Sequence, residues 1–185
     1  TGTITKGKMT VEDIHSLSEH FSEETIQVII SAYMQNSEDT NPTAQAIRKA
    51  YGELEHAYTA ENIIPFSSDR KWGAMHLSNL GTVFLGAPEM LLQENPTAVV
   101  EAQGRGSRVL VLAHSSERIS MQELKLPENL EGIAVIEITD PIREGASDTL
   151  EYLRSQGVDL KIISGDNPVT VSYIAQQAGF KNYEN

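Results

Sequence analysis

The chain contains no cysteine. That excludes a disulfide scaffold and any thiolate-ligated metal centre, and it suits a reducing compartment. It also has no uninterrupted apolar stretch near the ~18–20 residues needed to cross a bilayer. No secretory leader is visible at its start. Basic residues are few: 14 lysines and arginines stand against 26 aspartates and glutamates, a formal charge of −12. A molecule of that charge repels nucleic acid and anionic membrane, so no nucleic-acid partner is expected. The five histidines, His15, His20, His56, His76 and His114, are scattered, and none has the H-E-x-x-H spacing of a zinc protease. There is no Walker A loop, no G-x-G-x-x-G, no internal repeat and no low-complexity tract.

What is present is globular. Hydrophobic residues make up 39% and charged residues 22% of the 185, enough for a real core. The charge is uneven. Residues 1–60 hold 4 basic and 9 acidic residues, 61–120 hold 5 and 6, and 121–185 hold 5 and 11. An anionic ligand is therefore best tolerated by the near-neutral middle third.

The elements follow from local signals. Ser22-Glu23-Glu24-Thr25 is a capped helix start, and Ile26, Ile29, Ile30, Tyr33 and Met34 give that helix one apolar face. Asn41-Pro42 opens a second helix, running to about Tyr51 and stopped by Gly52. Strand grammar follows from 62 to 67, then at 72–77 and 82–85 around the Ser78–Gly81 turn. Short helices are expected from Ala87 to Leu92 and from Pro96 to Gln103, and a buried strand over 108–113. The remainder reads strand 133–138, helix 144–156, strand 158–163 and a helix from Asn167-Pro168 to just before Gly179. That order predicts a βαβα unit with a parallel pair. The opening Thr1–Thr10 is small, polar and β-tolerant, and its start without methionine suggests a piece of something longer.

Three segments carry chemistry-bearing residues. Ser164-Gly165-Asp166-Asn167 follows the strand expected to end at Ile163, where open α/β sheets place ligands and where a helix N-terminus offers free N–H donors. The same residues also suit an ordinary turn with Asn167 as cap. Asp140-Pro141-Ile142-Arg143 reads as a hinge clamp or substrate contact, or else as a surface ion pair. Phe66-Ser67-Ser68-Asp69-Arg70-Lys71-Trp72 offers an aromatic face for a flat base and cations for phosphate, or else a β-turn with Phe66 and Trp72 in the core.

Taken in order, these segments resemble the cytoplasmic catalytic head of a P-type cation-transporting ATPase. Thr1-Gly2-Thr3-Ile4-Thr5 matches the end of the family's D-K-T-G-T-L/I-T phosphorylation motif. Phe66–Lys71 matches F-S-x-x-R-K, and Gly86-Ala87-Pro88-Glu89 matches K-G-A-P-E from its glycine onward. Asp140–Arg143 matches D-P-P/I/L-R, and Ser164–Asn167 matches T/S-G-D-N. Five collinear matches span the chain.

The resemblance implies an α/β fold, in which an N domain (an antiparallel sheet with flanking helices) is inserted in a partial haloacid-dehalogenase-like Rossmann P domain. The expected division is 1–8 for the P domain, 9–137 for the nucleotide-binding N domain and 138–185 for the P domain again. It implies ATP and Mg²⁺ as cofactors, and an aspartate that takes the γ-phosphoryl covalently. That nucleophile would lie two positions before Thr1, so this piece alone should not turn over ATP. The parent would be a multi-pass protein of the cell membrane, moving a cation through spans absent here, with this monomeric piece on the cytoplasmic side. A bacterial subgroup similar to cation-transporting ATPase E carries the same Leu85–Glu89 and Phe66–Trp72 pattern, which points to divalent cations and first to calcium.

Carried over by residue, the resemblance has Phe66 stack on adenine, with Ser68, Lys71, Leu85, Gly86 and Thr43 in the same pocket and Arg108 toward the phosphates. Asp140 and Arg143 would lie at the inter-domain hinge near the sugar. Thr1, Thr3, Ser164, Gly165 and Asp166 would surround the transferred phosphoryl, with the Thr1 carbonyl as a Mg²⁺ ligand. Two departures stand out: Leu85 replaces the family's lysine, and Ala44 follows Thr43 where relatives often have an acid. Both imply altered nucleotide contacts. A standalone haloacid-dehalogenase-like phosphatase is the alternative, though it gives no reason for the F-S-x-x-R-K and G-A-P-E segments. A non-catalytic interaction module, suggested only by the acidic surface, is the third.

Overall fold

A computed structural model describes residues 2–120 and 124–180. Its centre is a six-stranded sheet in the order β1-β6-β5-β4-β3-β2, antiparallel at every pairing. The strands are β1 (Thr10–Ser16), β2 (Ala60–Ser67), β3 (Trp72–Leu77), β4 (Gly81–Gly86), β5 (Arg108–Ser115) and β6 (Glu131–Thr139). The helices are α1 (Glu23–Asn36), α2 (Pro42–Tyr51), α3 (Pro88–Leu91), α4 (Thr97–Gly104), α5 (Ala146–Ser155) and α6 (Pro168–Gln177).

The central strands β3 and β4 are buried along their whole length because both sheet faces are covered. Side-chain alternation then divides the core. Met75, Leu77, Val83 and Leu85 point to α1 and α2, where Ile26, Ile29, Ile30, Tyr33, Met34 and Ile47 meet them. Trp72, Ala74 and Phe84 point the other way, to Leu91, Val111 and Ala113. The helix starts are those expected: Ser22 accepts from the Thr25 amide and Asn41 from the Ala44 amide. The β3–β4 turn places Asn79 at φ 60° and Gly81 at φ 119°, and a Cβ at Gly81 would come within 2.5 Å of the Ser115 carbonyl. Glycine is therefore required there on two counts.

The C-terminal third departs from expectation. No parallel pair forms among the described residues. The strand at 131–139 joins β1 and β5 in the antiparallel sheet instead. Residues 158–163 have no ladder partner, and Ile163 is 95% exposed. An apolar run becomes a strand only where another backbone lies alongside it, and none of the described residues does. β1 is the strand that the composition of 1–10 does not announce. It lies at the sheet edge, with its pattern broken by a bulge between Val11 and Asp13. Helix α5 starts after Gly145 at φ 75° and buries no residue.

The segment that leads into β1 is tied to the segment that leaves β6. Thr5 bridges Ile142, the Lys6 amide donates to Pro141, and the Arg143 amide donates to Ile4. Further along, α6 lies against α4, where Thr170 donates to the Ser107 carbonyl at 3.0 Å and a Cβ at Gly106 would strike the Tyr173 ring.

Candidate functional site

A cleft of about 620 Å³ opens between the α1–α2 side of the sheet and the turn that precedes α6. Eight of the expected site residues line it: Thr43, Phe66, Ser68, Lys71, Leu85, Arg108, Gly165 and Asp166. They come from α2, β2, the β2–β3 turn, β4, β5 and the turn before α6, so only the tertiary fold brings them together.

One half of the cleft is apolar. Leu85 is 8% exposed and forms its floor with Ile47, Met34 and Ala44. Phe66 stands over it, 38% exposed at the end of β2. A large aromatic left that open beside an apolar floor is the arrangement that accepts a flat ring. Tight packing fixes the neighbouring β2–β3 turn. The Lys71 amide donates to Ser67 at 2.6 Å, Lys71 adopts φ 58°, and its carbonyl accepts from the Ala87 amide at 2.9 Å. A Cβ at Gly86 would come within 2.5 Å of the Trp72 Cβ. Gly86 therefore permits strand packing beneath the cleft, and it is not among the residues that line it. Arg70 is spent on the turn: it donates to Pro65 and Trp72 carbonyls and lies 4.8 Å over the Trp72 ring.

The other half is polar, and its cations are already paired. Lys71 Nζ lies 2.9 Å from Glu89 Oε1. Partial burial alone would push the Glu89 carboxyl up, but the hydrogen bond and charge of Lys71 outweigh it and hold the group below the usual range. Arg108 Nη2 donates to Asp166 Oδ1 at 2.6 Å, and its Nη1 donates to Thr43 Oγ1 at 3.0 Å. Thr43 in turn donates to Met9 Sδ. Inside the turn, the Asp166 amide donates to Ser164 Oγ at 3.2 Å, and the Asn167 side chain caps α6 by accepting from Val169. Ser164 itself is not among the lining residues.

Asp140 and Arg143 lie elsewhere, in a second cluster that ties residues 2–6 to 140–143. Thr5 Oγ1 donates to Asp140 Oδ2 at 2.7 Å and accepts from the Gly2 amide at 2.7 Å. Arg143 donates to the Thr5 carbonyl at 2.7 Å and to the Gly2 carbonyl at 3.2 Å. Thr5 is fully buried there, and Asp140 Oδ1 is buried without a partner among the described residues. Thr3 is exposed beside this cluster, and Thr1 lies outside the described residues. No group of three or more His, Cys, Asp or Glu side chains among the described residues could hold a metal ion.

Sequence reasoning passed over four residues of these sites. Tyr33 belongs to the apolar stripe of α1, which reads as core. Glu89 was matched as a motif letter without a role. Thr5 was matched as a motif letter without a role, which it takes from the long-range bridge to Ile142; Gln103 carries no local signal, because its position depends on α4.

The match to a family model describing haloacid dehalogenase-like hydrolases covers residues 1–184. The chain belongs to that family. Within it, the chain is 59% identical over 184 residues to the probable cation-transporting ATPase exp7 of Streptococcus pneumoniae, covering 99% of this chain and 23% of the relative. It is 34% identical over 185 residues to the calcium-transporting ATPase CtpE of Mycolicibacterium smegmatis, covering 97% of this chain and 22% of that one. It thus spans under a quarter of the length of these relatives. Among solved structures, a zinc-transporting PIB-type ATPase in its E2.Pi state superposes with a TM-score of 0.60 at 24% identity, over 97% of this chain and 27% of the other. The catalytic domain of the CPx-ATPase CopB-B, from a study of its conformational changes upon nucleotide binding, superposes at 0.63 with 17% identity, over 98% and 56%. The resemblance to the cytoplasmic head of P-type cation ATPases, read from five short motifs, is borne out across the chain. So is the mixed α/β fold with an antiparallel sheet.

Proposed function

We propose that this chain is the nucleotide-binding part, with a share of the phosphorylated domain, of an ATP-driven cation pump. The observation that carries the reading is the cleft itself. It places an open aromatic ring, an apolar floor and two cations, Phe66, Leu85, Lys71 and Arg108, around one space of about 620 Å³. A nucleotide has matching parts: a flat base, then a charged tail.

In this reading the base stacks on Phe66 over Leu85, with Ser68 and Thr43 at its margins. Lys71 and Arg108 face the phosphates, each already held by its own carboxylate. Gly165 and Asp166, with Ser164 behind them, bring the phosphoryl-transfer turn to the far end of the tail. Thr1 and Thr3 belong beside the acceptor aspartate, which lies upstream in the parent protein. The chain without it binds nucleotide and does not turn it over. Asp140, Arg143 and Thr5 form the hinge between the inserted domain, 9–137, and its host, 1–8 and 138–185. The short bridge from Thr5 to Ile142 supports that division, because both crossings of the chain are tied at one place.

Mg²⁺ enters with the nucleotide. The described side chains offer no coordination set of their own, and Asp166, the carboxylate of the turn, is engaged by Arg108. The parent is a protein of the cell membrane, and no described helix here is long and apolar enough to cross one. The transported ion is divalent, calcium by similarity to the relative from Mycolicibacterium smegmatis. Titrating the labelled 185-residue chain with ATP and following amide shifts tests the reading. Shifts should concentrate at Phe66, Lys71, Leu85 and Arg108. Their absence at millimolar ATP would refute it.

A further inference from the structure

The cleft wall holds two polar side chains that are more than nine-tenths buried and hydrogen-bond no described residue, Tyr33 at 3% and Gln103 at 7% exposure. Gln103 stands on α4, which packs on α6. Tyr33 stands on α1 at the apolar half. A Cβ added at Gly73 would come within 2.8 Å of the Tyr33 hydroxyl and within 2.9 Å of the Phe66 amide nitrogen, so the hydroxyl lies beside the backbone of the ring that stacks the base. The oxygen is not among the sealed polar atoms of the interior, which leaves it open to the cleft.

A hydroxyl with no protein partner in the wall of a cleft keeps its donor and acceptor for whatever fills the cleft. Two neighbouring polar groups of this half are occupied. Asn41 caps α2, and the Asp39 carboxylate accepts from Ser37. Ala44, where relatives often carry an acid, supplies only a methyl group. We propose that the Tyr33 hydroxyl is the group that hydrogen-bonds the edge of the nucleobase in this cleft, a specificity-determining role for a residue of the α1 core stripe.

The assignment rests on the nucleotide reading above. Stacking on Phe66 holds any flat ring by its face and tells bases apart poorly. A hydroxyl in the wall reads the edge, since it donates to a ring nitrogen or accepts from an exocyclic amine. Its proton is secure: burial pushes the Tyr33 phenol far above its ordinary range, and Asp39 adds to the effect while Arg70 opposes it.

The test compares the 185-residue chain with Tyr33→Phe, which removes one oxygen and no carbon, in calorimetric titrations with ATP and with tripolyphosphate. ATP should bind the variant about three- to tenfold more weakly, the worth of one neutral hydrogen bond. Tripolyphosphate, which has no base, should bind both alike. Equal ATP affinity of the two chains, with ATP binding still weakened by Phe66→Ala, overturns the Tyr33 assignment and leaves the nucleotide reading standing. An equal loss for ATP and tripolyphosphate also overturns it, because the hydroxyl would then act on the frame of the cleft. Failure of the unsubstituted chain to bind ATP at millimolar concentration overturns both.

Discussion

Arg108 and Asp166 form a 2.6 Å ion pair although 58 positions separate them. The pair joins the start of β5 to the turn before α6. It also sets the terms on which an anion enters, because a phosphate must share the guanidinium with a carboxylate of its own sign. Asp166→Asn should therefore tighten ATP binding by the chain up to about fivefold, as suits a partly solvated pair worth up to ~1 kcal/mol. Weaker binding by the variant would show that Asp166 holds the guanidinium in place for the phosphate.

Lys71 and Glu89 repeat the arrangement at the other cation, with both side chains about half exposed. Glu89→Gln frees the ammonium and removes one negative charge, so ATP affinity at neutral pH should rise about two- to threefold. The native Glu89 carboxyl is held below its ordinary range. The competition is therefore present at neutral pH and fades only as the pH falls through that depressed value. Affinities of the two chains should converge in acid. A gap that stays constant after the Glu89 carboxyl has been protonated would place the effect elsewhere.

Glu137 is buried at 3% exposure in β6 and accepts from Ser107 at 2.6 Å and Arg105 at 2.8 Å, with His15 at 3.3 Å. Burial raises its pKa, yet these partners together hold it below normal. A depressed folded-state pKa contributes stability above the unfolded value of about 4.3, lost as pH falls through the folded value. Glu137→Ala leaves the buried Ser107 hydroxyl without its acceptor and should cost about 1–3 kcal/mol at pH 7. Urea unfolding at pH 7 and pH 3 should show the gap narrowing in acid. An unchanged gap would mean that packing, not charge, carries the contribution.

Leu85 is nearly buried at the cleft floor within the cluster of α1 and α2. Leu85→Lys should bring a cation toward the phosphate tail and tighten ATP up to about fivefold. The same change should lower stability by about 1–3 kcal/mol, since the core loses an apolar group and the ammonium must reach the cleft mouth. Calorimetry and thermal unfolding measure the two effects separately. Weaker ATP binding would show that Leu85 packs directly on the base.

Local chemistry made most of the fold legible. Ser22, Asn41-Pro42 and Gly52 fix helix ends that the structure keeps, and the 72–77 strand is found as read. Partnership between distant segments was not legible. The run at 158–163 has strand composition but no neighbour, while the polar 10–16 segment becomes a strand because β6 lies beside it. The site divides the same way. Phe66, Lys71 and Arg108 stand out by residue type and motif. Asp140 and Arg143 also stand out by motif, as a hinge clamp or a substrate contact, but their bonds to Thr5 and Gly2 could not be read locally. Tyr33 is hidden because it sits in the apolar stripe of α1 and packs in the core cluster while also lining the cleft; a helix stripe reports the ring, not the oxygen.

The central claim is that the cleft under Phe66 takes a nucleotide by its base. Calorimetric titration of the chain and of Phe66→Ala with ATP tests it most directly. Loss of the stacking ring should weaken ATP by on the order of tenfold or more, from the ~1–3 kcal/mol that base–aromatic stacking contributes, and leave tripolyphosphate unaffected. Equal ATP affinity of the two chains would contradict the account.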